Sequence, residues 1–429
     1  MNNKDVIAIT KQHQVTDISF PAAFHSAKGV RFQDIEGNQY LDFSSGYGVA
    51  NVGWQHPEMV QELQVQAAKS TYAPPWMTSA ESAELGRKLA GLLSNNDYKC
   101  FRATGGSDAN EIALKVMFAK HGPGNVLSFY RSYHGGTHAS LGMSDIDAFR
   151  LPDIKHEYKE FKAEPPYCFR CPCKKDPANC QLYCLNQVEE MLNSNNNIKC
   201  VFVEPILGSG GIIVPPRNYH KELYAICKSK GAVLIMDEVL TGNGRTGFML
   251  ASEYFDVKPD AITLAKGLAS GFAAIGAALI DEEHISSYLK YDDVSSTFAW
   301  TPLSCALALK NMEILRNGNM LANAQMNGVY LKTHIEMILN KYLPEQLGEV
   351  RGLGLMIGCE LVNNQKDKLP NNKLTMRVLL GMLRRGVMWC ASWDYNTMIG
   401  MPPLCITRDE CDEVLNAMEL TVMPLAAKI

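Results

Sequence analysis

Two segments decide the fold of this chain, AVLIMD at Ala232–Asp237 and AITLAK at Ala261–Lys266. Each is short and rich in alanine and branched aliphatic residues, and neither alternates between apolar and polar positions. This pattern is typical of strands that are buried on both faces of a parallel sheet. Ligands usually bind at the carboxyl ends of such strands. We therefore expect Asp237 and Lys266 to face a common binding site.

Lys266 is the first candidate for chemistry at this site. A lysine in apolar surroundings is expected to lose part of its charge, since burial disfavours the ammonium. A neutral amine is nucleophilic and forms a Schiff base with an aldehyde. Taken alone, Lys266 is also compatible with an ordinary surface lysine in a loop. Its neighbours therefore decide the interpretation.

A glycine-rich segment opens a helix upstream of these strands. TGGSD at Thr104–Asp108 leads directly into Ala109–Met117, where apolar residues recur with helical spacing. A helix N-terminus presents unpaired N–H groups and the positive end of the helix dipole, and glycine allows an anion to approach closely. The segment therefore predicts a phosphate site. The alternative is a plain helix cap, in which Ser107 or Asp108 bonds to the helix and nothing is bound.

Seven short blocks follow one another along the chain in a specific order. They are Tyr40–Phe43 with Gly53 and His56-Pro57, Gly106-Ser107, Tyr133–Gly135, Glu204–Ile206 with Gly210-Gly211, Asp237–Val239 with Thr241-Gly242, Gly244–Gly247, and Lys266-Gly267. In this order the blocks resemble the class III (subgroup II) aminotransferases, a branch of the fold type I pyridoxal phosphate (PLP) enzymes. The resemblance extends from about Phe32 to about Leu404.

The resemblance and the pattern of elements imply an α/β fold with two domains. Strand-like and helical segments alternate from about residue 98 to 305, which predicts a doubly wound, mostly parallel sheet. We expect a large PLP-binding domain at 56–308. A smaller α+β domain is expected to combine 1–55 with 309–429. The resemblance also implies a homodimer whose active site lies at the subunit interface.

Two catalytic residues are implied by the resemblance. Lys266 would hold the cofactor as a Schiff base and later move protons at the substrate's alpha carbon. Asp237 would face the pyridine nitrogen of the cofactor and keep it protonated. Six further positions are implied to contact the cofactor: Gly106 and Ser107 at the phosphate, Tyr133 and Val239 on the two ring faces, Glu204 beside the ring, and Thr297 reaching the phosphate from the partner subunit. Taken singly, these positions are also compatible with caps, turns or core residues.

Two departures from the family concern the substrate. The ornithine and 4-aminobutyrate branches carry an arginine that grips the alpha carboxylate and a glutamate that switches it off, where this chain has Ile399 and Ser209. Losing both is coherent, because either charge alone would be buried without a partner. We expect an aminotransferase that moves an amino group from an amino acid or amine to a carbonyl acceptor by a ping-pong mechanism. The alternative is an aminomutase or amino-acid racemase of the same family.

An insertion at about 165–186 is rich in cysteine. Its thiols are Cys168, Cys171, Cys173, Cys180 and Cys184. Five thiols suffice for a tetrahedral metal site, but the second pair is one residue wider than a standard zinc or iron–sulfur spacing. The expectation from sequence is a surface insertion with free thiols and no bound metal, and the alternative is a structural metal site.

Composition restricts the class of protein further. The 429 residues include 41 basic and 45 acidic ones, a net charge of −4 without a basic region for nucleic acid. The longest apolar stretch is too short to span a bilayer. Thirteen cysteines and a polar N-terminus favour a cytoplasmic location.

Two nucleotide-binding patterns are excluded as well. Val233–Glu238 could pass for the magnesium-binding strand of an ATPase, but no G-x-x-x-x-G-K-[ST] run precedes it. Gly242–Gly247 matches the dinucleotide fingerprint, yet no acid follows at about twenty residues.

Overall fold

The structure is a computed structural model that describes residues 1–16, 20–93, 98–146, 160–290 and 294–426. Its strands in chain order are β1 Phe24–Lys28, β2 Arg31–Asp34, β3 Gln39–Asp42, β4 Tyr98–Ala103, β5 Asn125–Phe129, β6 Glu160–Ala163, β7 Ile198–Val203, β8 Val233–Asp237, β9 Ala261–Leu264, β10 Gly276–Asp281, β11 Leu347–Leu353, β12 Met356–Leu361, β13 Val387–Met388, β14 Cys390–Ala391 and β15 Thr397–Gly400.

The α-helices of the described residues connect and cover these strands. They are α1 Asn3–His13, α2 Ser45–Gly48, α3 Pro57–Lys69, α4 Ala80–Ala90, α5 Gly106–His121, α6 His138–Met143, α7 Cys184–Ser194, α8 Tyr219–Ser229, α9 Ala251–Tyr254, α10 Pro302–Asn317, α11 Met320–Tyr342, α12 Asn372–Leu383 and α13 Arg408–Ala426. Short 3-10 turns lie at Cys168–Arg170, Lys266–Leu268 and Glu282–His284. None of the described helices is both long and apolar enough to cross a membrane.

A seven-stranded sheet carries the two segments that open the sequence analysis. Its strand order is β4-β10-β9-β8-β7-β5-β6. β10 is antiparallel to both of its neighbours, and the remaining pairs are parallel. The expected α/β fold with a mostly parallel sheet is confirmed, and it is the architecture of fold type I. β6 lies on one side of β5 and β7 on the other, so the strand order reverses direction there, as in other doubly wound sheets.

Two smaller sheets are formed by strands that precede or follow those of the large sheet in the sequence. β11, β12, β15 and β14 form one sheet, and β1, β2, β3 and β13 form the other. In the second sheet, β13 near the C-terminus pairs in parallel with β3 near the N-terminus. This pairing joins the N-terminal segment to the C-terminal part of the chain. The domain limits at 55/56 and 308/309 stay a prediction.

Burial explains why β8 and β9 hold the centre of the large sheet. Every side chain of both strands is buried, and Val233–Met236 are at most 3% exposed. Burying an aliphatic side chain of this size stabilises a fold by about 1.5–3 kcal/mol. The strands pair in parallel with Asp237 opposite Thr263. Their carboxyl ends therefore lie side by side at one edge of the sheet.

Candidate active site

A cavity of about 360 Å³ opens at this edge of the large sheet. It lies beyond the carboxyl ends of β5, β7, β8 and β9, beside the N-terminus of α5. The residues expected at the site that line it are Gly106, Ser107, Tyr133, Glu204, Asp237, Val239 and Lys266. Residues from five separate stretches of sequence therefore meet in one space.

Asp237 is held in place at both of its carboxylate oxygens. Oδ2 accepts a hydrogen bond from Asn110 Nδ2 at 2.8 Å and lies 2.8 Å from His134 Nδ1. Oδ1 accepts from the backbone N–H of Val239 at 3.0 Å. Asp237 is only 4% exposed. A buried carboxylate with these donors keeps a fixed orientation toward the cavity.

Asn110 and His134 are functional neighbours that the sequence reasoning missed as site residues. Asn110 also donates to the carbonyl of His134 at 2.6 Å and accepts from the Thr263 hydroxyl at 2.6 Å. All of these side chains are buried. His134 stands in the Tyr133–Gly135 block, and Asn110 lies one turn into α5. Their closeness in sequence to Ser107 and Tyr133 could have marked them as candidates. Their hydrogen bonds to Asp237 could not be read from the sequence.

Lys266 follows β9 and begins a 3-10 turn with a positive φ of 40°. It lines the cavity, where it retains some accessible surface. Desolvation lowers the pKa of its amine, opposed by the nearby carboxylates of Asp237 and Glu204. The burial effect is the larger, so loss of the proton from this amine costs less free energy than on a surface lysine.

The N-terminus of α5 has the features of an anion site. Gly105 is the N-cap, and no side chain caps the helix there. Asp108 instead bonds to Thr104, at 2.7 Å from its N–H and 2.9 Å from its hydroxyl. The Ser107 hydroxyl accepts from Gly136 N–H at 3.1 Å and lines the cavity. Ser107 and Asp108 therefore do not form the plain helix cap that was the alternative. The uncapped end of the helix faces the cavity.

The two glycines at this helix end have different surroundings. A Cβ built on Gly106 would lie 2.8 Å from Val239 Cγ1, whereas one built on Gly105 meets nothing within 4 Å. Gly106 therefore allows Val239 to reach the cavity, and Gly105 leaves room beside the helix end. An aldehyde cofactor with a phosphate and a ring nitrogen matches the amine, the helix end and the carboxylate.

Glu204 lies on the cavity wall at the end of β7. Its two oxygens accept from the N–H groups of Tyr133 and Gly208, each at 2.9 Å. Burial raises its pKa from 4.5 to about 7, and the charge of Asp237 adds to this. Tyr133 also lines the cavity, and burial raises the pKa of its phenol.

The three remaining positions named in the sequence analysis lie in different places. Ser209 lines the cavity. Ile399 is 3% exposed and packs in an apolar cluster with Leu240 and Met401. Thr297 is exposed and does not line the cavity of its own chain. None of the described residues that line the cavity is an arginine.

Fold and site together define a pyridoxal-phosphate-dependent enzyme of fold type I. The family described as Aminotransferase class-III matches residues 12–422, and the chain belongs to that family. The acetylornithine aminotransferase of Methanocaldococcus jannaschii is 32% identical over 407 residues, which cover 93% of this chain and 93% of that protein. The leucine/methionine racemase of Thermococcus litoralis is 30% identical, with 94% and 90% covered.

A solved structure agrees with this assignment. An amine transaminase from an uncultivated Pseudomonas species, in its PLP-bound form, has a TM-score of 0.88 and 26% sequence identity. The likeness covers 96% of this chain and 98% of that one. The expected family, fold, cofactor and class of enzyme are thus confirmed. Its relatives include aminotransferases and racemases, so the family alone does not set the outcome of the reaction.

Proposed function

We propose that this chain is an aminotransferase that moves an amino group from an amino acid or amine donor to a carbonyl acceptor in a ping-pong cycle. The observation that carries the proposal is that Lys266, Asp237 and the open N-terminus of α5 line a single cavity. An amine, a fixed carboxylate and an anion site in one cavity are the groups that such a reaction needs.

The cofactor, when bound, supplies an electron sink for the bonding electrons of the substrate's alpha carbon. Asp237 would hold the proton on the ring nitrogen, with its orientation set by Asn110 and His134. Lys266 would hold the cofactor and, once released, move a proton to and from the alpha carbon. The lowered pKa of its amine suits that role, because only the neutral amine accepts a proton.

Five more residues would position the cofactor. Gly106 and Ser107 would receive the phosphate at the end of α5, and Tyr133 and Val239 would pack on the two faces of the ring. Glu204 would lie beside the ring, held by two backbone N–H groups. Closing a ring between two side chains fixes its plane and keeps water from the reacting carbon.

Thr297 would complete the phosphate site of a second copy in a homodimer. Its exposure and its absence from the lining of its own cavity support that arrangement. Exposed aromatic side chains in the same region include Phe298, which is 68% exposed and packs near Tyr72. A partner chain that reaches Thr297 would also cover these rings.

At the position where related branches place an arginine, this chain has Ile399, which does not line the cavity. Ile399 lies in the apolar cluster, and Ser209 is the small polar residue on the cavity wall. A lone carboxylate would therefore find no guanidinium at that wall. This favours a donor or acceptor that lacks an alpha carboxylate, or one whose carboxylate binds elsewhere.

Racemisation or an aminomutase reaction is the second candidate function. The observation in its favour is the 30% identity to the leucine/methionine racemase over nearly the whole of both chains. These reactions use the same lysine and carboxylate and differ in the fate of the amino group. The cofactor of a racemase ends each turnover in the form in which it began.

The visible absorbance of the purified protein separates the two candidates. Amino acids and diamines are added one at a time without a carbonyl acceptor. A stable conversion of the cofactor to its amine form identifies a transaminase and its donor, and a transient change that returns identifies a racemase or mutase. Absence of any cofactor band after PLP is added and the unbound PLP is removed contradicts the site assignment.

Lys266→Ala tests the central residue directly. We expect turnover to fall by about 10³-fold or more, because the variant loses the group that holds the cofactor and moves the proton. Lys221→Ala removes an exposed lysine paired with Asp256 and serves as the control. Wild-type activity in Lys266→Ala contradicts the proposal.

A further inference from the structure

The cysteine-rich insertion has a local geometry of its own. Four of its five thiol-bearing residues, Cys168, Cys171, Cys180 and Cys184, line a single void of about 20 Å³. Cys173 does not line it. All of these cysteines are partly buried, and none forms a disulfide. Two pairs of cysteines from distant ends of the insertion thus face one small space.

The void has the size and chemistry for a single ion. A space of about 10–15 Å³ is enough for one atom-sized guest. Four thiolates are a preferred ligand set for Zn²⁺, which binds four cysteines tetrahedrally in many structural sites of proteins. We propose that Cys168, Cys171, Cys180 and Cys184 bind one Zn²⁺ ion that fixes the insertion. This site is separate from the cavity at the sheet edge and does not rest on the proposed reaction.

The thiols must move closer together to bind. Zn–S bonds of about 2.3 Å place tetrahedral sulfurs about 3.8 Å apart. Among the described residues, only one group of three potential ligand atoms lies within 4.8 Å of one another, and it consists of Asp260, Glu283 and His284. Lys228 already pairs with both carboxylates of that group. No three sulfurs of the described cysteines meet that spacing.

The backbone of the insertion permits this contraction. Residues 171–183 contain turns but no helix or strand, so that closing the loop breaks no regular hydrogen-bonded element. Cys168 opens a 3-10 turn and Cys184 opens α7, which gives the site two anchored ends. The outer loop carries Cys171 and Cys180, and metal binding would draw it toward these two ends.

Charge around the void favours an anionic metal centre. Each thiol releases its proton to water on binding, so four thiolates around Zn²⁺ carry a net charge of −2. Lys175 lines the same void, and its Nζ lies 4.5 Å from the centre of the Tyr183 ring.

Fixing the insertion would also brace a wall of the active-site cavity. Tyr167, next to Cys168, is buried and donates a hydrogen bond to Glu360. The Arg351 guanidinium lies 5.1 Å from the Tyr167 ring centre and donates to the carbonyl of Gly211 at 2.6 Å. Gly211 is two residues from Ser209, which lines that cavity. We expect metal loss to lower the Tm of the holoenzyme.

The test measures metal in the PLP-loaded protein, purified without a histidine tag or chelator and then incubated with Zn²⁺ under reducing conditions. After desalting, elemental analysis should find one zinc per chain. Cys168→Ser and Cys180→Ser should lose it, whereas Cys173→Ser, the matched control outside the void, should keep it. Retained cofactor absorbance reports that each variant is folded.

Co²⁺ in place of Zn²⁺ provides a readout of the ligands. Wild type and Cys173→Ser should show the intense near-ultraviolet band of thiolate-to-cobalt charge transfer, and Cys180→Ser should lose most of it. The proposal is overturned if the wild-type protein holds no zinc and its denatured chain titrates as thirteen free thiols. Disulfides within the insertion, iron with inorganic sulfide, or equal zinc loss in Cys173→Ser also overturn it.

Discussion

Removing the side-chain hydrogen bonds at Asp237 Oδ2 is expected to slow the reaction while the protein still binds its cofactor. His134 Nδ1 and Asn110 Nδ2 both lie 2.8 Å from this oxygen in a nearly dry environment. A hydrogen bond to a charged group contributes about 1.5–3 kcal/mol. At about 1.36 kcal/mol per factor of ten, His134→Leu or Asn110→Ala should each lower kcat/KM by about 10- to 150-fold.

The physical reason is that Asp237 must stay ionised and correctly oriented to hold the proton on the cofactor ring. With one donor gone, the carboxylate is less stabilised and its orientation is looser. Because both donors share one oxygen, their effects are not expected to add, and the double variant should differ from the product of the single effects.

Steady-state kcat/KM with the best donor, together with cofactor retention from absorbance, measures the effect. His220→Asn is the matched control, because His220 is equally buried but bonds to the Pro205 carbonyl outside the cavity. That variant should lose stability and keep kcat. Activity of His134→Leu within about twofold of wild type, a difference of only about 0.4 kcal/mol, would refute the reasoning.

Three further predictions concern the cofactor site. Gly106→Ala should raise the Kd of the cofactor, measured by titrating the cofactor-free protein with PLP, because its Cβ would lie 2.8 Å from Val239 Cγ1. Gly136→Ala is the control, because its methyl meets nothing within 4 Å and should leave this Kd unchanged. Glu204→Gln should flatten the pH dependence of the free energy of unfolding measured with urea. Since burial raises this pKa from 4.5 to about 7, the stabilising contribution is full below pH 4.5 and is lost as the pH rises through about 7, a change of about 3 kcal/mol. Thr297→Ala should weaken cofactor retention and leave the Tm of the cofactor-free protein unchanged, because Thr297 is exposed within its own chain; an unaltered Kd rejects the phosphate contact.

Local patterns in the sequence determined the main elements of the site. Unbroken apolar runs identified β8 and β9 as buried parallel strands, and the polar residue at or after each end marked Asp237 and Lys266. The glycines before a helical repeat identified the open end of α5. These features depend on neighbours in the chain, so periodicity and composition suffice to find them.

Only the tertiary structure decided which side chains support these residues. Asn110, His134, Asp237 and Thr263 form one hydrogen-bonded group although they are far apart in the sequence. Likewise, the structure divides the five clustered cysteines into four that face one void and Cys173, which does not. Such contacts depend on strand register and crossover connections, which bring distant segments together and leave no local periodic trace in the sequence.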